Sequence, residues 1–273
     1  MVYEFCYMHD EVDWLDLRLH EAGDLVDYFV IAECPFDCMH RPKPLSFELN
    51  KERFKDFLHK IIYIVAEDVT VINVNMVRTR LAECRKGFVN CKPDDILILA
   101  DPDFVINKQT YKDIIASKDI LENHEIQLVA NWYFYHMDGL FTKEKFICCS
   151  AFMRKNTVDS EWGTVNRWKP VGKVIYDAGW HFSKMGGAEE LAEHIDGYPH
   201  GHCDYPNLFG RDATIKLMQE RIDNGYCWEG GYPGECVVEY IPYDPKNYPD
   251  YVNEHPEIYA RYFKYGMGGR ENA

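Results

Sequence analysis

Asp101-Pro102-Asp103 places two carboxylates in an Asp-x-Asp spacing. Carboxylates so spaced can hold Mg²⁺ or Mn²⁺ through their oxygens, and the cation then bridges to a diphosphate. One can ligate directly while the other reaches a ribose or a metal-bound water. The same tripeptide also serves as a solvated turn, an alternative with weight in a chain of 45 acidic residues. Glu33 closes the apolar run Asp27–Glu33 and is placed either to approach a nucleotide or to accept nearby backbone N–H groups. Arg78 and Arg80 could neutralise a diphosphate or grip a carboxylate bidentately, or simply face solvent on a helix. His200-Gly201-His202, beside Cys203 and Asp204, fits no standard zinc spacing and reads as a loop between Pro199 and Pro206. Gly186-Gly187 lacks the spacing of a phosphate loop and reads as a turn into a helix.

These residues need a frame. Residues 2–8 read as a strand. A helix follows, capped by Asp10, with Val12, Leu15, Leu19, Ala22 and Val26 forming one buried stripe. Residues 27–33 and 61–65 read as further strands. Between them lie a loop punctuated by Pro35, Pro42 and Pro44 and a helix over 51–60. A second long helix is predicted over 75–88, with Arg78 and Arg80 off its apolar face. The strand 95–100 then runs straight into Asp101. Near-continuous apolar strands alternating with amphipathic helices imply an α/β fold, a mostly parallel central sheet with helices on both faces. Ligands of such sheets bind outside the carboxyl ends of the strands, where Asp101 and Asp103 fall. Residues 127–137 and 145–153 read as strands of a possible antiparallel addition. Residues 187–195 and 211–224 read as helices, the latter stopped by Gly225, and the chain from Cys227 reads as irregular. One domain is the simplest division.

The chain has 273 residues, 47% hydrophobic and 27% charged, enough for a sizeable core. Its net charge of −15 disfavours nucleic acid as a partner, since such binders replace counterions with a basic surface. A divalent cation would still let it bind a nucleoside diphosphate. Aromatics reach 15%, enough both to pack a core and to stack on sugar rings. No apolar run is long enough for a membrane span, and the first residues do not read as a signal peptide. The ten cysteines show neither a disulfide framework nor paired zinc spacing. Together these lead to the expectation of a soluble, cytoplasmic protein with thiols.

The run from Asp13 through Arg18 to Glu21, then Asp24, Asp27, Phe29, Val30 and Glu33, resembles the N-terminal signature of glycosyltransferase family 17. Lys43-Pro44-Leu45 with Phe47, the stretch Pro93 to Asp103, and Ala178-Gly179-Trp180-His181-Phe182 with Glu189 resemble later segments of that family in the same order. The resemblance implies a GT-A-like nucleotide-sugar-binding fold, with a nucleotide-sugar-binding half over 1–110 and an acceptor-side half over 111–273, and metal-dependent, inverting transfer of N-acetylglucosamine from a UDP-sugar to a glycan acceptor. It implies His181, otherwise a core histidine between Trp180 and Phe182, as a further ligand of the Asp101–Asp103 metal, and Glu189, otherwise a stabiliser of its helix end, as the catalytic base; Asp177 and Asp138, in segments expected to approach the site but without as clear a family counterpart, are the reserves. It assigns Asp101, Glu33, Arg78 and Arg80 to the donor. The chain departs from the family's pattern at Phe104, where an acidic residue is usual, and shows no Golgi anchor. Another nucleotide sugar and a microbial or viral glycan therefore remain open. The competing readings are a non-catalytic carbohydrate-binding protein and a nucleotidyltransferase. The latter is ranked last because Tyr7 to Glu11 is acidic where a glycine-rich basic loop would stand.

Overall fold

The computed structural model describes residues 1–37, 41–66, 83–156, 171–197, 210–227 and 235–268. Arg78, Arg80 and the His200–Asp204 loop lie outside them. The chain forms two compact units, one of residues 1–130 and 147–179, the other of 131–146 and 180–273. This division by compactness is not the one between donor and acceptor halves drawn at 110/111, which concerns binding.

The first unit is built on parallel strands. β1 (Val2–Met8) pairs in parallel with β2 (Tyr28–Glu33) on one side and with β4 (Ile96–Leu99) on the other, and β2 pairs in parallel with β3 (Ile61–Val65). β4 is followed by the short β5 (Phe104–Ile106). Residues 125–128 of β6 (Glu125–Phe134) run parallel to β9 (Val171–Ile175), and β8 (Phe146–Met153) lies antiparallel to β4. Every residue of β1 is buried, the mark of a strand covered on both faces. Tyr3, Phe5 and Tyr7 point to one face and pack with Val30, Ala32, Leu97, Leu99 and Phe152. On that face Tyr3 donates to the Asn90 carbonyl (3.3 Å), and the 3₁₀ segment Glu83–Asn90 comes so close that a Cβ on Gly87 would stand 2.5 Å from Val30. Glu4, pointing the other way, meets Arg18 of α1 (Val12–Ala22). α1 and this 3₁₀ segment thus lie on opposite faces of these strands; of the helix expected over 75–88, residues 75–82 lie outside the described residues and 83–88 belong to the 3₁₀ segment instead.

α1 departs from the expected single apolar stripe. Asp13, Asp16, Arg18 and Glu21 are buried along with Leu15, Leu17 and Leu19. Each charged group has found a partner: Arg53 bridges Asp13 and Asp16, Arg18 meets Glu4, and Glu21 accepts from the Lys108 amide (3.0 Å). Asp10 does not cap the helix by its side chain; its carbonyl accepts from the Val12 amide at 2.7 Å, and Glu11 is the cap residue. The expected helix over 51–60 is two 3₁₀ turns, Lys51–Phe54 and Leu58–Lys60. The ion pairs of Arg53 and the stacking of buried Phe54 on Phe47 (centroids 5.5 Å) fix the chain there more strongly than helix propensity does. Sequence periodicity had assigned no element to the helix α2 (Lys108–Ala116), where Asn107 caps the Thr110 amide at 2.8 Å.

The second unit holds residues 131–134 of β6, the strands β7 (Gly139–Phe141), β10 (Gly179–Ser183, from Trp180 on) and β11 (Val238–Tyr240), and the helices α3 (Ala188–Gly197) and α4 (Arg211–Asn224). β10 runs parallel to β6, with His181 opposite Trp132, and β7 pairs antiparallel with β6 and β11. Leu191 and Ile195 of α3 and Met218 and Ile222 of α4 join Phe134, Phe141 and Val238 in one core. Gly225 ends α4 in the left-handed conformation, as expected. The C-terminal stretch is more ordered than composition suggests. Tyr262 accepts from the Met137 amide at 2.7 Å, and Asp138 accepts from the Lys264 amide at 3.0 Å.

Candidate active site

β1, β2 and β4 end together at the carboxyl edge of the parallel sheet, delivering His9–Glu11, Glu33 and Asp101–Asp103. Asp101 and Asp103 are half-buried and offer carboxylate oxygens within 4.8 Å of one another, a spacing one cation can span. The Asp101 carbonyl accepts from the Phe104 amide (3.1 Å), closing a tight turn that β5 continues. Glu11, half-buried on the loop after β1, accepts from the amides of His9 (2.6 Å) and Asp10 (3.1 Å). Burial, then the charges of Asp10 and Asp103, push its carboxyl up to about 8. Asp10 and Asp103 thus lie within electrostatic reach of Glu11.

Glu33 takes the structural one of its two expected arrangements. One oxygen accepts from Lys43 Nζ (2.9 Å) and the Ser46 amide (2.6 Å); the other accepts from the Phe47 amide (3.1 Å) and the Tyr63 hydroxyl (3.0 Å). These donors use the lone pairs of a fully buried carboxylate. Lys43 Nζ also donates to the His9 carbonyl at 2.8 Å. Glu33 thus fixes the loop after β1 through Lys43.

Asp177 is exposed at a left-handed position (φ 53°), a conformation Asp tolerates better than most residues, and its carbonyl accepts from Asn107 Nδ2 at 2.7 Å. Two residues on, Gly179 (φ 152°) lies so close to β5 that a Cβ would stand 2.0 Å from the Val105 carbonyl oxygen.

In the second unit, His181 is 4% exposed, its ring stacked on Phe146 with centroids 3.4 Å apart. Trp132 Nε1 donates to Ser183 Oγ (2.8 Å), and that oxygen lies 3.0 Å from His181 Nδ1. Glu189 is exposed in the first turn of α3. The neighbouring Glu190 is the acid that folds over the Gly186-Gly187 turn. Asp138 is buried, and burial raises its carboxyl despite the amide of Lys264. The cavities beside α4 and β11, lined by Asp212, Lys216, Asp223 and Tyr240 among others, include none of the predicted site residues.

Sequence reasoning missed the support beneath this edge, Glu4, Tyr111 and Asn107. The only signal for Glu4 was a lone carboxylate inside an otherwise apolar strand.

A mixed α/β fold that presents paired carboxylates at the carboxyl edge of a parallel sheet is the arrangement expected of a glycosyltransferase, and the family match assigns the chain to that class. The chain belongs to glycosyltransferase family 17, whose model matches residues 1–221. It is 33% identical over 106 residues to the human and rat enzymes named β-1,4-mannosyl-glycoprotein 4-β-N-acetylglucosaminyltransferase. That match covers 35% of this chain and 20% of each relative, so the chain corresponds to about a fifth of their length. Among solved structures, S. aureus TarS 1-349 in complex with UDP-GlcNAc is similar with a TM-score of 0.40 at 11% identity, covering 82% of this chain and 71% of that one. Among the described residues no helix is long and apolar enough to cross a membrane.

Proposed function

We propose that this chain is a metal-dependent, inverting glycosyltransferase that transfers N-acetylglucosamine from a UDP-sugar to a glycan. The observation that carries the reading is the Asp101–Asp103 pair at the carboxyl edge of the parallel sheet in a family 17 chain. The names of the human and rat relatives support N-acetylglucosamine as the sugar.

Asp101 and Asp103 hold Mn²⁺ or Mg²⁺, with His181 as a third ligand. The hard carboxylates and an imidazole suit Mn²⁺. Ser183 Oγ, 3.0 Å from His181 Nδ1, is the partner that orients the ring. Chain length supports this set. Gly179 is pinned to β5, which begins directly after Asp103, and His181 follows it by two residues, about 7 Å of extended chain. The carboxyl groups of Asp101 and Asp103, held close together, carry charge that a divalent cation would relieve. When bound, the cation neutralises the leaving diphosphate. Asp101 also reaches the donor, and Arg78 and Arg80 complete its charge compensation. Glu33 acts on the donor through the loop it fixes.

Inversion requires one carboxylate to take the proton from the acceptor hydroxyl as its oxygen attacks the anomeric carbon opposite the leaving group. Asp101 and Asp103, committed to the cation, cannot serve. Glu189 is the base, exposed and unburdened by the turn that Glu190 covers; Asp177 is the reserve. Asp138, buried and raised, is a structural acid. The deciding measurement is a thermal-shift panel of UDP- and GDP-sugars with and without Mn²⁺. Stabilisation by UDP-N-acetylglucosamine only with Mn²⁺ is expected. Stabilisation by free glycans and by no nucleotide sugar would replace this reading with a carbohydrate-binding protein.

A further inference from the structure

A buried charged cluster lies beneath the Asp101–Asp103 turn. Arg18 is 1% exposed. Its Nε donates to Glu4 Oε1 (2.8 Å), Nη2 donates to the same oxygen, and Nη1 donates to the main-chain carbonyl of Asp101 at 2.7 Å. The other oxygen of Glu4 accepts from the Tyr111 hydroxyl of α2. Burial works against the charge on Arg18, but Glu4 outweighs it and raises the guanidinium's pKa; burial and Glu4 both raise Tyr111. One turn further along α1, Glu21 accepts from the Lys108 amide at 3.0 Å, at the start of α2. Arg18 and Glu21, three residues apart on one face of the helix, therefore grip both ends of the segment 101–108, which contains the Asp-x-Asp turn and β5.

We propose that α1 is a clamp that sets the metal-binding turn, with Arg18 as its positioning residue and Glu4 and Tyr111 orienting the guanidinium. A buried ion pair contributes little net stability compared with apolar groups of the same volume, so stability alone is a weak reason to place one here. A charged donor fixed on the carbonyl of a ligand residue constrains where that residue's carboxylate points, and metal ligands depend on such outer partners. Lysine cannot replace Arg18, because the bonds to Glu4 and to Asp101 need a planar fork. The clamp's bearing on metal rests on the proposed function; its hold on the turn does not.

The test uses the whole chain, Mn²⁺ alone as the probe, and two readouts that need no turnover. One is Mn²⁺ affinity by electron paramagnetic resonance titration. The other is hydrogen exchange of the Phe104 amide, which shares the Asp101 carbonyl with Arg18. The double variant Glu4→Gln/Arg18→Met removes both charges at similar volume. It is expected to fold, to bind Mn²⁺ about tenfold more weakly and to exchange Phe104 about tenfold faster, with β2 amides unaltered. A folded double variant with Mn²⁺ affinity and Phe104 exchange both unchanged overturns the clamp. If the double variant does not fold, Tyr111→Phe, which removes only the donor to Glu4, decides in the same way with shifts of about threefold. A wild-type chain that binds no Mn²⁺ sinks the metal reading, and Phe104 exchange alone then judges the clamp.

Discussion

The acids proposed to act in the first unit and in the second stand in different surroundings. Around β1, β2 and β4, Glu4, Asp13, Asp16, Glu21 and Glu33 are buried and individually bound to Arg18, Arg53, the Lys108 amide or Lys43. Asp101 and Asp103 rise half-buried from that framework. In the second unit Asp138 is likewise buried on the Lys264 amide, but Glu189, the proposed base, is exposed in the first turn of α3, and His181 is buried in an aromatic stack. The contrast matches what the proposed roles demand. A cation site needs ligands whose spacing is set before the cation arrives, whereas a base must be open to an incoming hydroxyl.

The contrast can be broken most severely at Gly179. Gly179→Ala puts a methyl 2.0 Å from the Val105 carbonyl at a backbone angle unsuited to alanine. We expect a loss of about 3 kcal/mol or more, read as a collapse in melting temperature or in soluble yield. A normal melt would mean that β5 and β10 yield easily. Asp103→Ala should lower metal-dependent turnover by about a thousandfold with the melting temperature nearly unchanged, and full activity in excess EDTA would end the metal assignment. Glu189→Gln should cut kcat about a hundredfold while donor affinity holds. If only thermal stability falls, Glu189 stabilises a helix end, and Asp177→Asn becomes the informative variant.

Glu33→Gln tests the scaffold itself. Replacing one carboxylate oxygen with an amide opposes Lys43 or the backbone donors, so a loss of about 2–3 kcal/mol is expected in denaturant unfolding. A large rise in donor KM with stability intact would instead return Glu33 to the nucleotide. The smallest effect concerns His136, whose pKa burial, and then Lys264, lower to about 4. The unfolded chain takes up this proton near pH 6.5, before the folded chain does, so stability should fall from about pH 6.5 toward pH 4 and then level off. His136→Leu should flatten that part of the profile, by about 2–4 °C in melting temperature. An identical acid profile in the variant would assign the slope to other groups.

Much of the first unit was legible in the residues. β1, β2, β3 and β4 are apolar runs whose composition leaves few alternatives, and the Asp-x-Asp turn falls where such a run ends. β5, β7 and β11 are three residues long, too short for a periodicity to emerge, and β9 (VGKVI) and β10 (GWHFS) lack the continuous apolar run that marks β3 and β4. The 3₁₀ turns over 51–60 were misread because local pattern carries no trace of Arg53 reaching back to Asp13 and Asp16.

By itself the sequence determined the mixed α/β class, the placement of Asp101 and Asp103 at a strand's end, and membership in family 17. These follow from hydrophobic runs and ordered motifs, which are local properties of the chain. Tertiary structure alone decided what each charged residue does. Glu33 and Glu189 are both glutamates of the family-like segments, yet one is spent on Lys43, Ser46, Phe47 and Tyr63 and the other is exposed. Arg18 reads as one more polar residue of an amphipathic helix until Glu4 and the Asp101 carbonyl, 14 and 83 residues away, are brought to its guanidinium. A carboxylate's role is set by which donors surround it and how much water is excluded, and both depend on contacts distant in sequence.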